Sequence, residues 1–218
     1  MKIKNILVVY LISMSLLGFP MLASAEKFGR IELPAPRTDG GKPLMQVLKE
    51  RKSGRAFSSK DLPSQVLSDL LWAAFGINRP DSGGRTAPSA TNMQEINIYV
   101  AKPEGLYVYD AKANMLLPVL KGDIRALTGK QAFVKDAPID LIYVADLKKM
   151  DHFPASEQDI YAAADMAFIS ENVYLFCAST GLVTVVRNLV DKVALSQAMG
   201  LTPGHMIVMT QTVGYPND

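Results

Sequence analysis

Glu50-Arg51-Lys52-Ser53-Gly54-Arg55-Ala56-Phe57 is the stretch on which the reading of this chain turns. Three cations, a hydroxyl and a glycine fall within Arg51 to Arg55. Just upstream, Leu44, Val47 and Leu48 repeat at helical spacing, so a helix is expected to end there and deliver Arg51, Ser53 and Arg55 to one short turn. Guanidinium groups hold phosphate through a planar fork of N–H donors, and a serine hydroxyl adds another. Gly54 lets the backbone approach a ligand closely or take a positive φ. That is the chemistry of a phosphate cup. The same residues also read as a solvated basic helix C-terminus, which the helix dipole favours.

On the N-terminal side the composition changes. Lys2 and Lys4 form a basic start, Ile6 to Leu17 is almost wholly apolar, and Ala23-Ser24-Ala25 is a small-x-small site before Glu26-Lys27. This is the pattern of a secretory signal peptide, residues 1–25, cleaved between Ala25 and Glu26, so a periplasmic or secreted protein is expected. An uncleaved anchor is the other reading, although Gly18 and Pro20 interrupt the apolar run. Residues 26–42, with Pro34, Pro36, Gly40 and Gly41, read as an extended arm, and residues 43–218 as one domain.

Lys2 and Lys4 are the only charges in the leader, so 23 basic and 21 acidic residues become a formally neutral mature chain. Such a chain has no general attraction to nucleic acid or anionic lipid. Cys177 is the single cysteine and lies in an apolar run, which makes it a core residue and leaves no intramolecular disulfide. His152 and His205 are the only histidines, and neither has metal-ligand spacing. A zinc site or a Ser-His-Asp hydrolase is therefore not expected.

On the C-terminal side, Pro63 opens a helix whose apolar face is Val66, Leu67, Leu70, Leu71, Ala74 and Phe75, stopping at Gly76. Asn78 to Ala87 reads as a polar loop. Ala87-Pro88-Ser89-Ala90-Thr91-Asn92-Met93-Gln94 reads as the opening of a short helix. The amides of Asn92 and Gln94 carry donor and acceptor together, which suits the edge of a flat heterocycle as well as a capped helix start. Strands are predicted at Ile96–Ala101, Ile139–Ala145, Leu182–Val186 and His205–Val213, with a hairpin of Leu106–Asp110 and Met115–Leu120. Helices are predicted at Asp123–Gly129, Asp159–Ser179 and Asp191–Met199. Asp159–Ser179 is apolar nearly all round, so it is buried in a core or a dimer interface; Asp165 and Glu171 argue against a membrane span. Strands and helices alternate without regular βαβ units, which predicts an α+β fold.

Four stretches in order, Arg51–Phe57, Ala87–Gln94, Gly181–Arg187 and Gln211–Pro216, resemble the FMN-dependent nitroreductase family, and the second half looks closest to its thiazole/oxazole-dehydrogenase-like branch. The resemblance implies an intertwined homodimer with a mostly antiparallel central sheet flanked by helices and FMN at the subunit interface. It places Arg51, Ser53 and Arg55 on the FMN phosphate. Pro88, Ser89 and Ala90 would lie along the isoalloxazine of the other subunit, and Asn92 near its ring or ribityl chain. Val186, Arg187 and Asn188 would run against the ring with their backbone towards N5 and O4. Flavin would carry the chemistry without a dedicated acid, base or metal, with Arg187 stabilising negative charge. Two departures go with the resemblance. Many members put a Lys or Arg near the C-terminus on the phosphate, where this sequence reads Asn217-Asp218, and glycine often follows the position of Arg187, where this sequence has Asn188.

Three functions are compatible with this pattern. One is an FMN oxidoreductase that passes hydride to or from a small electron-poor substrate such as a nitro compound or quinone, with NAD(P)H or another donor. The others are a flavin-binding relative without turnover and an interaction protein that reuses the fold.

Overall fold

Ile139 to Ala145 is buried along its whole length, so this strand sits at the centre of the molecule. The computed structural model describes residues 28–217; the predicted signal peptide and its cleavage site lie outside the described residues. In chain order these form β1 (Ile31–Glu32), α1 (Leu44–Glu50), α2 (Ser64–Phe75), β2 (Ile77–Arg79), β3 (Gly84–Arg85), β4 (Ile96–Lys102), β5 (Gly105–Asp110), β6 (Met115–Lys121), β7 (Ile139–Asp146), α3 (Ala155–Thr180), β8 (Val183–Arg187), α4 (Lys192–Met199) and β9 (His205–Gly214). Short 3-10 turns lie at Ala90–Asn92, Arg125–Leu127, Ala132–Lys135 and Leu147–Met150.

Seven strands make one sheet in the order β1-β6-β5-β4-β7-β9-β8, antiparallel at every pairing. Side chains alternate across a strand, so the sheet has two apolar faces. Ile98, Val100, Leu141 and Tyr143 point to the face covered by α2 and α3. Ala101, Ile142, Val144 and Ile207 point to the other, under Leu195 and Met199 of α4. Leu70 and Leu71 of α2 are fully buried, and each such side chain is worth about 1.5–3 kcal/mol.

α3 begins earlier than its sequence pattern predicts and runs 26 residues, about 39 Å. Its apolar residues divide into two stripes. Ala162, Met166, Ile169, Val173 and Cys177 enter the core. Ile160 and Phe168 remain 66% and 49% exposed, with Ala164 and Ala167 exposed beside them. Gly181 ends the helix at φ 77, where its N–H and that of Leu182 both reach the Cys177 carbonyl.

Three local expectations are corrected. The arm is not merely extended: β1 pairs with β6, and Arg37 grips the buried Asp69 of α2 with its backbone N–H at 2.8 Å and its guanidinium at 2.7 and 2.9 Å. Asn78–Ala87 is not a plain loop, because β2 and β3 pair within it. Leu44 and Leu48 of α1 are 62% and 47% exposed, and Val47 alone of that set is buried.

Candidate functional site

β8 is the last strand of the sheet, so alternate backbone groups along its outer side have no strand to meet. Two neighbours cover them. The Gly54 N–H donates to Thr184 O at 3.0 Å, and the Tyr174 hydroxyl of α3 accepts the Val186 N–H at 3.0 Å. The Arg51–Phe57 segment is thereby laid along the sheet edge, and Ser58 N–H to Tyr215 O carries it on past the end of β9. Gly54 serves this packing, since a Cβ there would collide with Val183 Cγ1; its φ is not positive.

Tyr174 is the hub. Its hydroxyl also lies 2.9 Å from Ser53 Oγ, and the Arg51 guanidinium stands 5.4 Å from its ring centroid. One phenol thus joins the first motif (Arg51, Ser53) to the third (Val186). Ser53, Arg55 and Asn188 are exposed, and Arg51 and Val186 are half-buried. A cleft of about 580 Å³ opens beside this turn, between Lys49, Lys52, Tyr174, Gly181 and Val183. Tyr174, Lys49 and Lys52 were not singled out from the sequence. Tyr174 sat in an apolar helical pattern that hides a hydroxyl aimed at a strand edge, whereas Lys52 stood in plain view between the two arginines.

The second motif lies elsewhere. Pro88 and Asn92 are exposed, and Ser89 and Ala90 half-buried. The chain turns sharply here: Thr91, Asn92 and Gln94 have φ of 48, 57 and 51. Each non-glycine residue in that region costs on the order of 1 kcal/mol or more, so the turn must be held by its surroundings. Ser89 Oγ accepts the Gln94 N–H at 3.0 Å, Asp165 Oδ2 of α3 accepts the Ala90 N–H at 2.8 Å, and Lys149 Nζ donates to Gln94 O at 2.8 Å. The Gln94 amide is spent internally: its oxygen accepts from Arg85 Nε at 2.9 Å, and its nitrogen donates to Gly83 O and Asn92 Oδ1. Gln94 therefore ties the β2–β3 hairpin to the turn and does not present a free amide to a heterocycle.

Arg187 is also corrected. Strand alternation sends its side chain through the sheet to the opposite face from Tyr174. There its Nη1 donates to Thr128 O and its Nη2 to Asp140 Oδ1, both at 2.7 Å, with side-chain exposures of 2% and 0% for the ion pair. It is neither a surface ion pair nor placed to meet an acceptor. Burial pushes the Asp140 carboxyl up to about 7, while Arg187 and the Thr212 hydroxyl pull the other way. The visible hint was Asp140 itself, an acid inside an apolar strand that must find a cation. Cys177 is buried as expected, and burial raises its thiol far out of the reactive range.

Asp165 and Tyr174 are nine residues apart on α3. That is about 13.5 Å and two and a half turns, which puts the two motifs they hold on near-opposite sides of the helix. Within one chain the second motif is therefore separated from the first and third.

The donor set at the Tyr174 end, with guanidinium, ammonium and hydroxyl groups on a largely exposed turn, fits the dianionic phosphate of a flavin mononucleotide. The chain belongs to the nitroreductase family, whose model matches residues 48–215. It is 42% identical to a protein of Ralstonia eutropha assigned as a nitroreductase, over 87% of this chain and 90% of that one, with a TM-score of 0.83. A protein of Methanocaldococcus jannaschii, likewise assigned as a nitroreductase, is 32% identical over 152 residues, 65% of this chain and 76% of its own length. The NADPH:FMN oxidoreductase of Vibrio harveyi, solved with NAD+, shares the fold at 17% identity and a TM-score of 0.60, over 80% of this chain and 67% of its own. Family membership makes this chain an oxidoreductase of the flavin-dependent kind, with a large antiparallel sheet flanked by helices.

Proposed function

We propose that this protein is an exported, homodimeric FMN oxidoreductase that moves hydride between a reduced nicotinamide or another donor and a small electron-poor acceptor, such as a nitro compound or quinone. One observation supports the reading: Tyr174 draws Arg51, Ser53 and Val186 to one point, so the candidate phosphate turn lies beside the strand end that the family resemblance lays against a flavin. Bound FMN would supply hydride acceptance at its N5. The chain would do the rest. Arg51, Ser53 and Arg55, with Lys52 added by the structure, hold the phosphate; Val186 and Asn188 line the ring side; Pro88, Ser89, Ala90 and Asn92 of a second copy close it.

The separation of the motifs along α3 is the ground for proposing a second copy. The exposed stripe of Ile160, Ala164, Ala167 and Phe168 is the apolar face such a copy would cover. A two-fold packing sets the same face of both copies against each other, and this stripe is the face proposed for it. The likeness of the Gly181–Arg187 and Gln211–Pro216 stretches to the thiazole/oxazole-dehydrogenase-like branch is the ground for including oxidation of a small substrate. Export rests on the pattern of residues 1–25 and gives a mature N-terminus at Glu26, which N-terminal mass spectrometry of exported protein checks.

The test is direct. Purified mature protein should be yellow, bleach with NADH, NADPH or a chemical reductant under anaerobic conditions, and recolour on adding a nitroarene or quinone. Flavin that bleaches but never passes electrons on would mark a binding protein without turnover. A colourless protein that takes up no FMN would overturn the reading. Light scattering on dilute protein addresses the dimer: a stable monomer that still holds flavin would remove it.

A further inference from the structure

Glu95 has no solvent exposure, and neither of its carboxyl oxygens meets a donor among the described residues. The group that acts most closely on it is another acid, Asp165, which is 3% exposed. Ionised carboxyls only accept, so a hydrogen bond between these two requires a proton on one of them. Asp165 meanwhile accepts the Ala90 N–H at 2.8 Å and so grips the turn that carries three positive φ angles.

The charged and titratable groups of the surrounding elements are otherwise engaged. Arg85 of β3 donates to Gln94 Oε1 and Phe75 O. His152 brings its Nε2 to 3.5 Å from Thr91 Oγ1. Asp146, at the end of β7, gives its N–H to Glu95 O and accepts from Lys148 N. Lys149 acts on the Glu95 carboxyl, but its amine donates to the Gln94 carbonyl instead. A proton therefore takes the place of a cation. Burial pushes the Glu95 carboxyl up to about 7, with Asp165 raising it further, and burial also raises Asp165.

We propose that Glu95 and Asp165 share one proton and act as the positioning pair of the Ser89–Gln94 turn, holding it by the Ala90 N–H while the proton is present and releasing it when both acids ionise. The flavin reading is needed only for what the turn does; the proton sharing stands without it. Two carboxylates in contact repel, and the cheapest relief is for Asp165 to swing away from Glu95. The turn then loses the acceptor that offsets its backbone strain.

The test is hydrogen exchange of the peptide spanning residues 86–95, in wild type, Glu95→Gln and Asp165→Asn, at about pH 5.5 and about pH 8.5. Each amide supplies the shared hydrogen bond permanently, without a titrating proton. At the lower pH the three proteins should exchange alike. At the higher pH wild type should exchange roughly tenfold faster than either variant, because each pH unit above the pair's titration is a tenfold loss of the shared-proton state. Asp140 titrates over the same range in all three proteins and cancels in the comparison. Equal exchange at the higher pH overturns the proposal, as does failure of both amide variants to fold. FMN titration of the same samples separates the two readings. If FMN affinity falls with pH in wild type and stays flat in Glu95→Gln, the turn belongs to the flavin site; if exchange responds and FMN affinity does not, the pair stands and that assignment of the turn falls.

Discussion

Two positions along α3 that face the candidate site do the same job with different chemistry. At one, Tyr174 accepts the backbone N–H of Val186; at the other, Asp165 accepts that of Ala90. Tyr174 is a neutral phenol holding a segment already fastened to the sheet edge through Gly54, Phe57 and Ser58. Asp165 is a buried acid, backed by another acid, holding a turn with strained backbone. The Arg51–Phe57 segment is thus set largely by packing against the sheet edge, while the Ser89–Gln94 turn depends on a few polar bonds, one of them to a buried acid.

Removing the acid should cost most. Asp165→Ala strands the Ala90 N–H and takes away the acid beside Glu95, an expected loss of about 3 kcal/mol in urea unfolding of the apo protein. A loss below about 1 kcal/mol would mean that the turn holds itself. Arg51→Ala should weaken FMN binding by about 1.5–3 kcal/mol, tenfold to hundredfold, and leave riboflavin unchanged, in fluorescence titrations run in parallel. Equal losses for both flavins would show that the basic turn is not a phosphate site.

The third prediction concerns pH. The carboxyls of Glu95 and Asp140 are both pushed up to about 7 from ordinary values of 4.5 and 3.8. The folded state keeps protons that the unfolded chain has released. Stability from these groups is therefore full below the ordinary carboxylate range and is lost as pH rises through about 7. Melting curves should show Tm falling from about pH 5 to about pH 8, and less steeply in Glu95→Gln. The smallest effect belongs to Tyr174→Phe, which strands the Val186 N–H and Ser53 hydroxyl: about 1 kcal/mol of stability in urea unfolding. A loss as large as that of Asp165→Ala would erase the contrast between the two positions.

Much of this frame was legible in the chain. The β5–β6 hairpin, the long α3 and the Gly181 and Gly200 stops follow from periodicity and local turn chemistry, and these survive folding unchanged. The order of the four motifs led to the right family. What was not legible depends on partners distant in sequence. Arg187 looked like a group for a ligand, yet its direction is fixed by strand parity and by Asp140, 47 residues away. Gln94 and Asn92 looked like free amides, yet Gln94 is consumed by Arg85 and Gly83, in a stretch too rich in glycine and proline to announce a hairpin. Glu95 gave no signal, because an acid that opens a strand usually faces water. Leu44 and Leu48 had the spacing of a buried face, yet they are exposed and only Val47 of that set is covered.

Gly129 carries a last consequence, one of mutational order. A Cβ there would occupy the place of Arg187 Nη1. No side chain can therefore be introduced at 129 while Arg187 keeps its present position. Shortening Arg187 first would leave the Asp140 carboxyl buried without its cation, and replacing Asp140 first would leave the guanidinium in the same state. The three positions lock one another. Positions 140 and 187 should therefore change together, and 129 should acquire a side chain only once Arg187 has changed.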